Sequence, residues 1–211
     1  LTTNSKKDIK KEIKKISQKH HSELFFLDKD KFKINDDKSF SFILSHREIN
    51  VPKPPLIGKH QLDNCALAVA SLILVSKKVN KIKLNECFTG LKFTSWPARA
   101  QILNNGKLVD KIIDKKRIVM LDGAHNVSGA KALRKALAEI DNNWILIFGY
   151  LKTRKPDEYL QEMKTISRNI ITTRIPGNVE CYSPSELLDI ARSKGYNCSK
   201  SNNIVEAIDT A

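Results

Sequence analysis

Three residues able to contact a polar ligand lie at the end of one apolar run. Ile118, Val119, Met120 and Leu121 are followed by Asp122 and Gly123, and then by Ala124, His125 and Asn126. A carboxylate accepts hydrogen bonds from hydroxyls or amides, an imidazole donates or accepts, and an amide side chain does both. A short apolar run reads as a buried parallel strand, and open α/β sheets bind ligands at the carboxyl ends of such strands. Residues 118–122 are therefore expected to place Asp122, His125 and Asn126 in a crevice ahead of a helix starting near Ser128. The plainer alternative is that Asp122 and Gly123 form a turn and Asn126 caps the helix.

Three further groups could join them. Gly58, His60, Gln61 and Asn64 open a helix whose i, i+4 spacing puts His60 and Asn64 on one face, with Asp63 as an ordinary cap. Arg99 follows Trp96 and Pro97, where the X-Pro step forces extended backbone and ends a helix. Its guanidinium fork suits phosphate oxygens, although most arginines simply face solvent. Gly149 opens a basic loop with Lys152, Arg154 and Lys155, expected at the same carboxyl edge as Asp122.

These groups need a frame. Residues 6–16 carry isoleucines at 9, 13 and 16 among lysines, the stripe of an amphipathic helix. Residues 23–27 read as a short strand. Residues 32–34 and 39–44 read as a hairpin around the polar turn 35–38, and 48–51 as another strand before prolines 52, 54 and 55. Residues 65–75 form a small-residue, nearly all-apolar helix that must be buried between layers, and a shorter helix is expected over 84–91. Beyond residue 98 strands at 118–122, 144–148 and 169–173 alternate with helices at 127–140, 156–167 and 183–193, and a last helix follows Ser201 and Asn202. Ser183 and Glu186 have capping-box spacing with Pro184 between them. Alternating strand and helix imply βαβ units and a parallel sheet. The fold class is α/β with two domains, 1–95 and 96–211.

Composition narrows the function classes. The chain has 211 residues and a net charge of +14 from 37 basic and 23 acidic groups. The excess could attract nucleic acid, but the lysines of residues 6–16 line a solvated helix face with no interleaved aromatics to stack on bases. The longest uncharged apolar stretch, residues 65–75, is too short to span a bilayer, which reads as a protein of the cytoplasm with no membrane partner. Four separated cysteines, at 65, 87, 181 and 198, match no metal-ligand spacing and read as reduced thiols. The chain opens on Leu1 and stops inside a helical pattern, as a segment of a larger protein would.

Taken together, Gly58-x-His60-Gln61-x-x-Asn64-x-Ala66, Trp96-Pro97-x-Arg99-x-Gln101, Leu121 through Asn126 and Phe148-Gly149-x-Leu151-Lys152 resemble, in order and spacing, the folylpolyglutamate synthase and dihydrofolate synthase family of the Mur ligase superfamily. The resemblance implies the end of a central P-loop-type ATPase domain followed by a Rossmann-like doubly wound C-terminal domain, incomplete at its end. It implies an ATP-dependent amide ligase, acting as a monomer, that phosphorylates a folate or dihydropteroate carboxylate and joins L-glutamate to it. Carried over residue by residue, Asn64 contacts adenine, Arg99 phosphate and Asp122 ribose, and His125 is a further nucleotide-site residue. No catalytic or metal-ligating role falls on this chain.

The sequence departs from the family at two points. Ala98 stands where the family usually has glycine, which costs backbone freedom. Nothing matches Gly-x-x-x-x-Gly-Lys-Ser/Thr, and the family's magnesium-binding glutamate and histidine and its carbamylated lysine segment are not found, so these are expected upstream, and the chain alone is expected to bind ATP poorly and to catalyse nothing. A peptidoglycan-precursor ligase of the same superfamily is one rival. A non-enzymatic nucleic-acid-binding module, which would bind duplex with a steep salt dependence, is the other.

Overall fold

The computed structural model describes residues 1–3, 6–27, 32–37, 39–112, 114, 116–177 and 180–211. Lys38, at the end of the expected polar turn, lies outside the described residues. The chain divides into two compact units, Leu1–Ser95 and Trp96–Ala211.

In the first unit, α1 (Lys7–Lys19) is the expected lysine helix, and it buries none of its residues. Strands β1 (Lys33–Ile34), β2 (Ser39–Leu44) and β3 (Arg47–Pro52) form an antiparallel sheet in that order. The β2–β3 turn uses only Ser45 and His46, at φ 47° and 66°, and Leu44 pairs with Arg47. Two consecutive positive φ values suit the twist of a two-residue hairpin, so polar residues accept a conformation usually left to Asn-Gly. Phe40 and Phe42, two residues apart, share a face of β2, and Phe32 meets Phe40 edge-on at 5.7 Å. Against this face packs α2 (Lys59–Ser76), through Leu62, Cys65, Ala66, Val69 and Ala70. The alanines let the helix approach closely, and each buried phenylalanine contributes about 1.5–3 kcal/mol. Burial also pushes the Cys65 thiol up to about 11, so it packs as an inert apolar group. Helix α3 (Leu84–Gly90) and a 3-10 turn, Leu91–Phe93, complete the unit.

The expected strand at 23–27 is reduced to one bridge, Thr2 to Phe26, although Leu27 is buried in the core. Asp63 does not cap α2, which starts four residues earlier, after Gly58 at φ 99°.

The second unit contains a parallel sheet, β6 (Ile145–Phe148), β7 (Asn169–Thr172) and β8 (Asn197–Lys200). Helices α6 (Asp157–Met163) and α7 (Pro184–Ser193) provide the crossovers that parallel neighbours require. Ile170, Ile171 and Thr172 are all buried, as a central strand demands. Helix α5 (Val127–Ala138) packs on α6, and α8 (Ile204–Thr210) lies against β6 and β7. The α/β class holds, but the apolar run at 118–122 is not a buried parallel strand. As β5 (Val119–Leu121), it pairs antiparallel with β4 (Gln101–Leu103), an unexpected strand, in a separate two-stranded sheet. Leu121 is 47% exposed. The short helix α4 (Lys107–Asp110) lies between these two strands in sequence.

The capping box of α7 forms as its spacing requires: the Ser183 hydroxyl accepts from the Glu186 amide at 3.2 Å, and a Glu186 oxygen accepts from the Ser183 amide. These bonds, with Lys152 Nζ at 3.0 Å, hold the Glu186 carboxyl down to about 2 from its ordinary 4.5. A carboxyl lowered by folding stabilises above its unfolded pKa and loses that contribution as pH falls toward the folded value. Glu186→Gln is therefore expected to lower thermal stability at neutral pH, with the difference from wild type shrinking between pH 4.5 and about 2. Thermal melts across that range check it, and a difference that does not depend on pH would contradict it.

Candidate nucleotide site

Arg99, Asp122 and His125 come together within the second unit, joined mainly through backbone. Asp122 follows β5, and its two oxygens accept from different segments: Oδ1 from the Ala124 amide and Oδ2 from the Ala100 amide, each at 2.7 Å. The Gly123 amide donates to Ala98 O at 3.0 Å, and the Ala98 amide donates to Gln101 Oε1 at 3.0 Å. Residues 97–101 are thereby stitched to 122–124. Arg99 is exposed, with Nη1 3.3 Å from Ala98 O. A Cβ at position 123 would stand 3.3 Å from that same Nη1, so the guanidinium lies over the space that glycine leaves open.

Ala98 and Ala100 flank Arg99 at φ 55° and 48°. The left-handed region costs an L-residue roughly 1–2 kcal/mol, and alanine does not announce it in sequence. Ala98 therefore sits where glycine's conformational freedom would matter.

His125 Nδ1 lies 2.8 Å from Gly123 O. A carbonyl can only accept, so Nδ1 carries the proton. Asn126 is the N-cap of α5, its Oδ1 accepting from the Gly129 amide at 2.8 Å, so the plainer alternative holds for this residue. The basic loop does adjoin the segment, through a residue that sequence reasoning passed over: the Tyr150 hydroxyl donates to His125 O at 2.7 Å. Tyr150 is buried and stacks on Phe148 at 5.1 Å, which also stacks on Tyr159 at 5.3 Å. Burial, and the Asp122 charge after it, push the Tyr159 phenol up, and burial does the same for Tyr150. Both remain neutral. Gly149 is required by close approach, because a Cβ there would stand 3.0 Å from Ile175 Cγ1 and 3.2 Å from Thr173 O. Lys152 turns to α7, pairing with Glu186 and lying 5.9 Å from the Tyr182 ring.

Asn64 lies in the first unit. The buried Gln61 links it to His60: Asn64 Nδ2 donates to Gln61 Oε1 at 3.2 Å, and Gln61 Nε2 lies 3.0 Å from His60 Nε2. The expected face is formed, and Asn64 is exposed on it. Among the described residues no group of three His, Cys, Asp or Glu side chains could hold a metal ion. No helix among them is long and apolar enough to cross a membrane.

An exposed cation over a glycine, beside an imidazole with one open nitrogen, is chemistry suited to a phosphorylated ligand. Solved structures that this chain resembles hold such ligands. The folylpolyglutamate synthase of Mycobacterium tuberculosis, solved with ADP and AMPPCP, matches 99% of this chain and 46% of its own length at a TM-score of 0.75 and 18% identity. The chain has the fold of a folylpolyglutamate synthase. The bifunctional folylpolyglutamate synthase/dihydrofolate synthase of Yersinia pestis, solved with AMPPNP and a Mn ion, matches 94% of this chain and 43% of its own at a TM-score of 0.65 and 17% identity. Among curated proteins, the dihydrofolate synthetase of Saccharomyces cerevisiae is 30% identical over 156 residues, or 70% of this chain and 36% of the yeast protein. The dihydrofolate synthase/folylpolyglutamate synthase of Bacillus subtilis is 24% identical over 136 residues, or 63% of this chain and 29% of its own. The chain thus spans about a third of these relatives' length. No family model matches it.

Replacing Ala98 by glycine removes the left-handed penalty at the cost of some unfolded-state entropy. Ala98→Gly is expected to raise stability by up to about 1 kcal/mol. Denaturant unfolding checks it, and a clear loss of stability would contradict the strained turn.

Proposed function

We propose that this chain is the C-terminal portion of an ATP-dependent ligase that joins L-glutamate to a folate or dihydropteroate carboxylate. The observation that carries the proposal is the stitched set of Arg99, Asp122 and His125, formed on residues that match the family's motifs in a chain with the family's fold. On this proposal residues 1–95 end the central ATPase domain and residues 96–211 form most of the C-terminal domain.

The reaction passes through an acyl phosphate. ATP transfers its terminal phosphoryl group to the acceptor carboxylate, the glutamate amine attacks the activated carbonyl and loses a proton as the C–N bond forms, and phosphate leaves. The residues of this chain bind and orient the nucleotide. The Arg99 fork receives phosphate oxygens, the open His125 nitrogen lies beside them, the Asp122 carboxylate serves the ribose side, and the Asn64 amide reads adenine's edge. Mg2+ is the proposed divalent metal, with its ligands supplied by the upstream portion. The ligase is proposed to act as a monomer in the cytoplasm, without nucleic acid or membrane.

Two outcomes follow from this division of labour. The purified 211-residue chain is expected to show no glutamate-dependent ATP hydrolysis above background, and clear turnover would overturn the division. In a ligase carrying this segment, Arg99→Ala removes charge-assisted bonds to phosphate and is expected to lower kcat/KM by about ten- to a hundredfold. Unchanged kinetics would remove Arg99 from the site.

A further inference from the structure

Two alanines at positive φ on either side of one arginine must be held there, since the isolated chain would relax to negative φ. Three contacts do the holding: Gly123 N to Ala98 O, Ala98 N to Gln101 Oε1, and Ala100 N to Asp122 Oδ2. Of these, only the last is made by a charged group, and it is the shortest at 2.7 Å. It spans 22 residues of sequence, and the same carboxylate also accepts from Ala124. One side chain therefore sets the relation between the turn that presents Arg99 and the segment that presents His125. The guanidinium lies over Gly123, next to the residue that anchors it.

We propose that Asp122 is a positioning residue for Arg99: it holds residues 98–100 in the strained turn and so fixes where the guanidinium meets a nucleotide's phosphates. This rests on Arg99 being a phosphate contact, as proposed above, and it gives Asp122 a role that does not pass through the ribose. Without the carboxylate, the Ala100 amide loses its acceptor, the turn relaxes, and Arg99 leaves its place over Gly123.

The test has a part without ligand, on the full 211-residue chain, and a part with ATP, on a ligase carrying this segment. A positive φ brings an amide proton close to its own α proton, so Ala98 and Ala100 are expected to give strong intraresidue amide–α NOEs in wild type. These should weaken in Asp122→Ala, with the Asn126–Gly129 cap unchanged, and be intermediate in Asp122→Asn, which keeps one acceptor oxygen. Should the alanine variant fail to fold, the asparagine variant carries the measurement. In ATP titrations, Arg99→Ala is expected to weaken binding about tenfold, Asp122→Ala more, since it loses the ribose contact as well as the placement of Arg99, and the double variant no more than Asp122→Ala, because loss of the carboxylate has already removed the Arg99 contact. NOEs that survive loss of the carboxylate would overturn the proposal, and so would a double variant weakened about tenfold beyond Asp122→Ala. NOEs that weaken as expected while neither substitution changes ATP affinity would support the role of Asp122 in the turn and refute Arg99 as a phosphate contact.

Discussion

One carboxylate, accepting from two backbone amides that belong to different stretches of chain, is the contact on which the candidate site of the second unit depends. Asp122 ties residues 98–100 to residues 122–124, and the antiparallel pairing of β4 with β5 lies immediately beside these ties. The arrangement combines strain with rigidity. Ala98 and Ala100 occupy an unfavourable region of backbone space, and the bonds from Gly123, Gln101 and above all Asp122 hold them there. A flexible loop would offer Arg99 in many places, whereas this turn offers it in one.

Behind that surface stands an aromatic layer. Phe148, Tyr150 and Tyr159 stack within the second unit, and their burial keeps both phenols protonated, so the Tyr150 hydroxyl remains available to donate to His125 O. The parallel sheet thus reaches the candidate site indirectly. Its first strand ends at Phe148, the close fit at Gly149 turns the chain, and Tyr150 braces the segment whose imidazole faces outward. In the first unit, Gln61 plays a similar part, using both ends of its amide to link His60 and Asn64.

Side-chain chemistry was more legible in the sequence than backbone conformation. The α7 capping box followed from Ser183, Pro184 and Glu186, and the α2 polar cluster from the spacing of His60 and Asn64. The run at 118–122 misled because four apolar residues look the same whether a strand lies buried in a parallel sheet or pairs antiparallel with one neighbour. Strand β8 was missed because Asn197, Cys198, Ser199 and Lys200 carry no strand-like alternation: it is an edge strand, held by the backbone of β7. The strain at Ala100 was illegible for a related reason, since alanine carries no preference that marks a left-handed turn, and at Ala98 only the family resemblance pointed to a lost backbone freedom. Tyr150 escaped notice because its partner is a backbone carbonyl, which no residue type signals.

The most direct measurement on the Arg99 turn is a crystal structure of a ligase carrying this segment with AMPPNP. Phosphate oxygens are expected within hydrogen-bonding distance of the Arg99 guanidinium, with Ala98 and Ala100 still at positive φ and the Asp122 carboxylate still accepting from Ala100 and Ala124. A nucleotide bound away from residues 96–101 and 121–126, or bound there with Arg99 turned out to solvent, would contradict that placement.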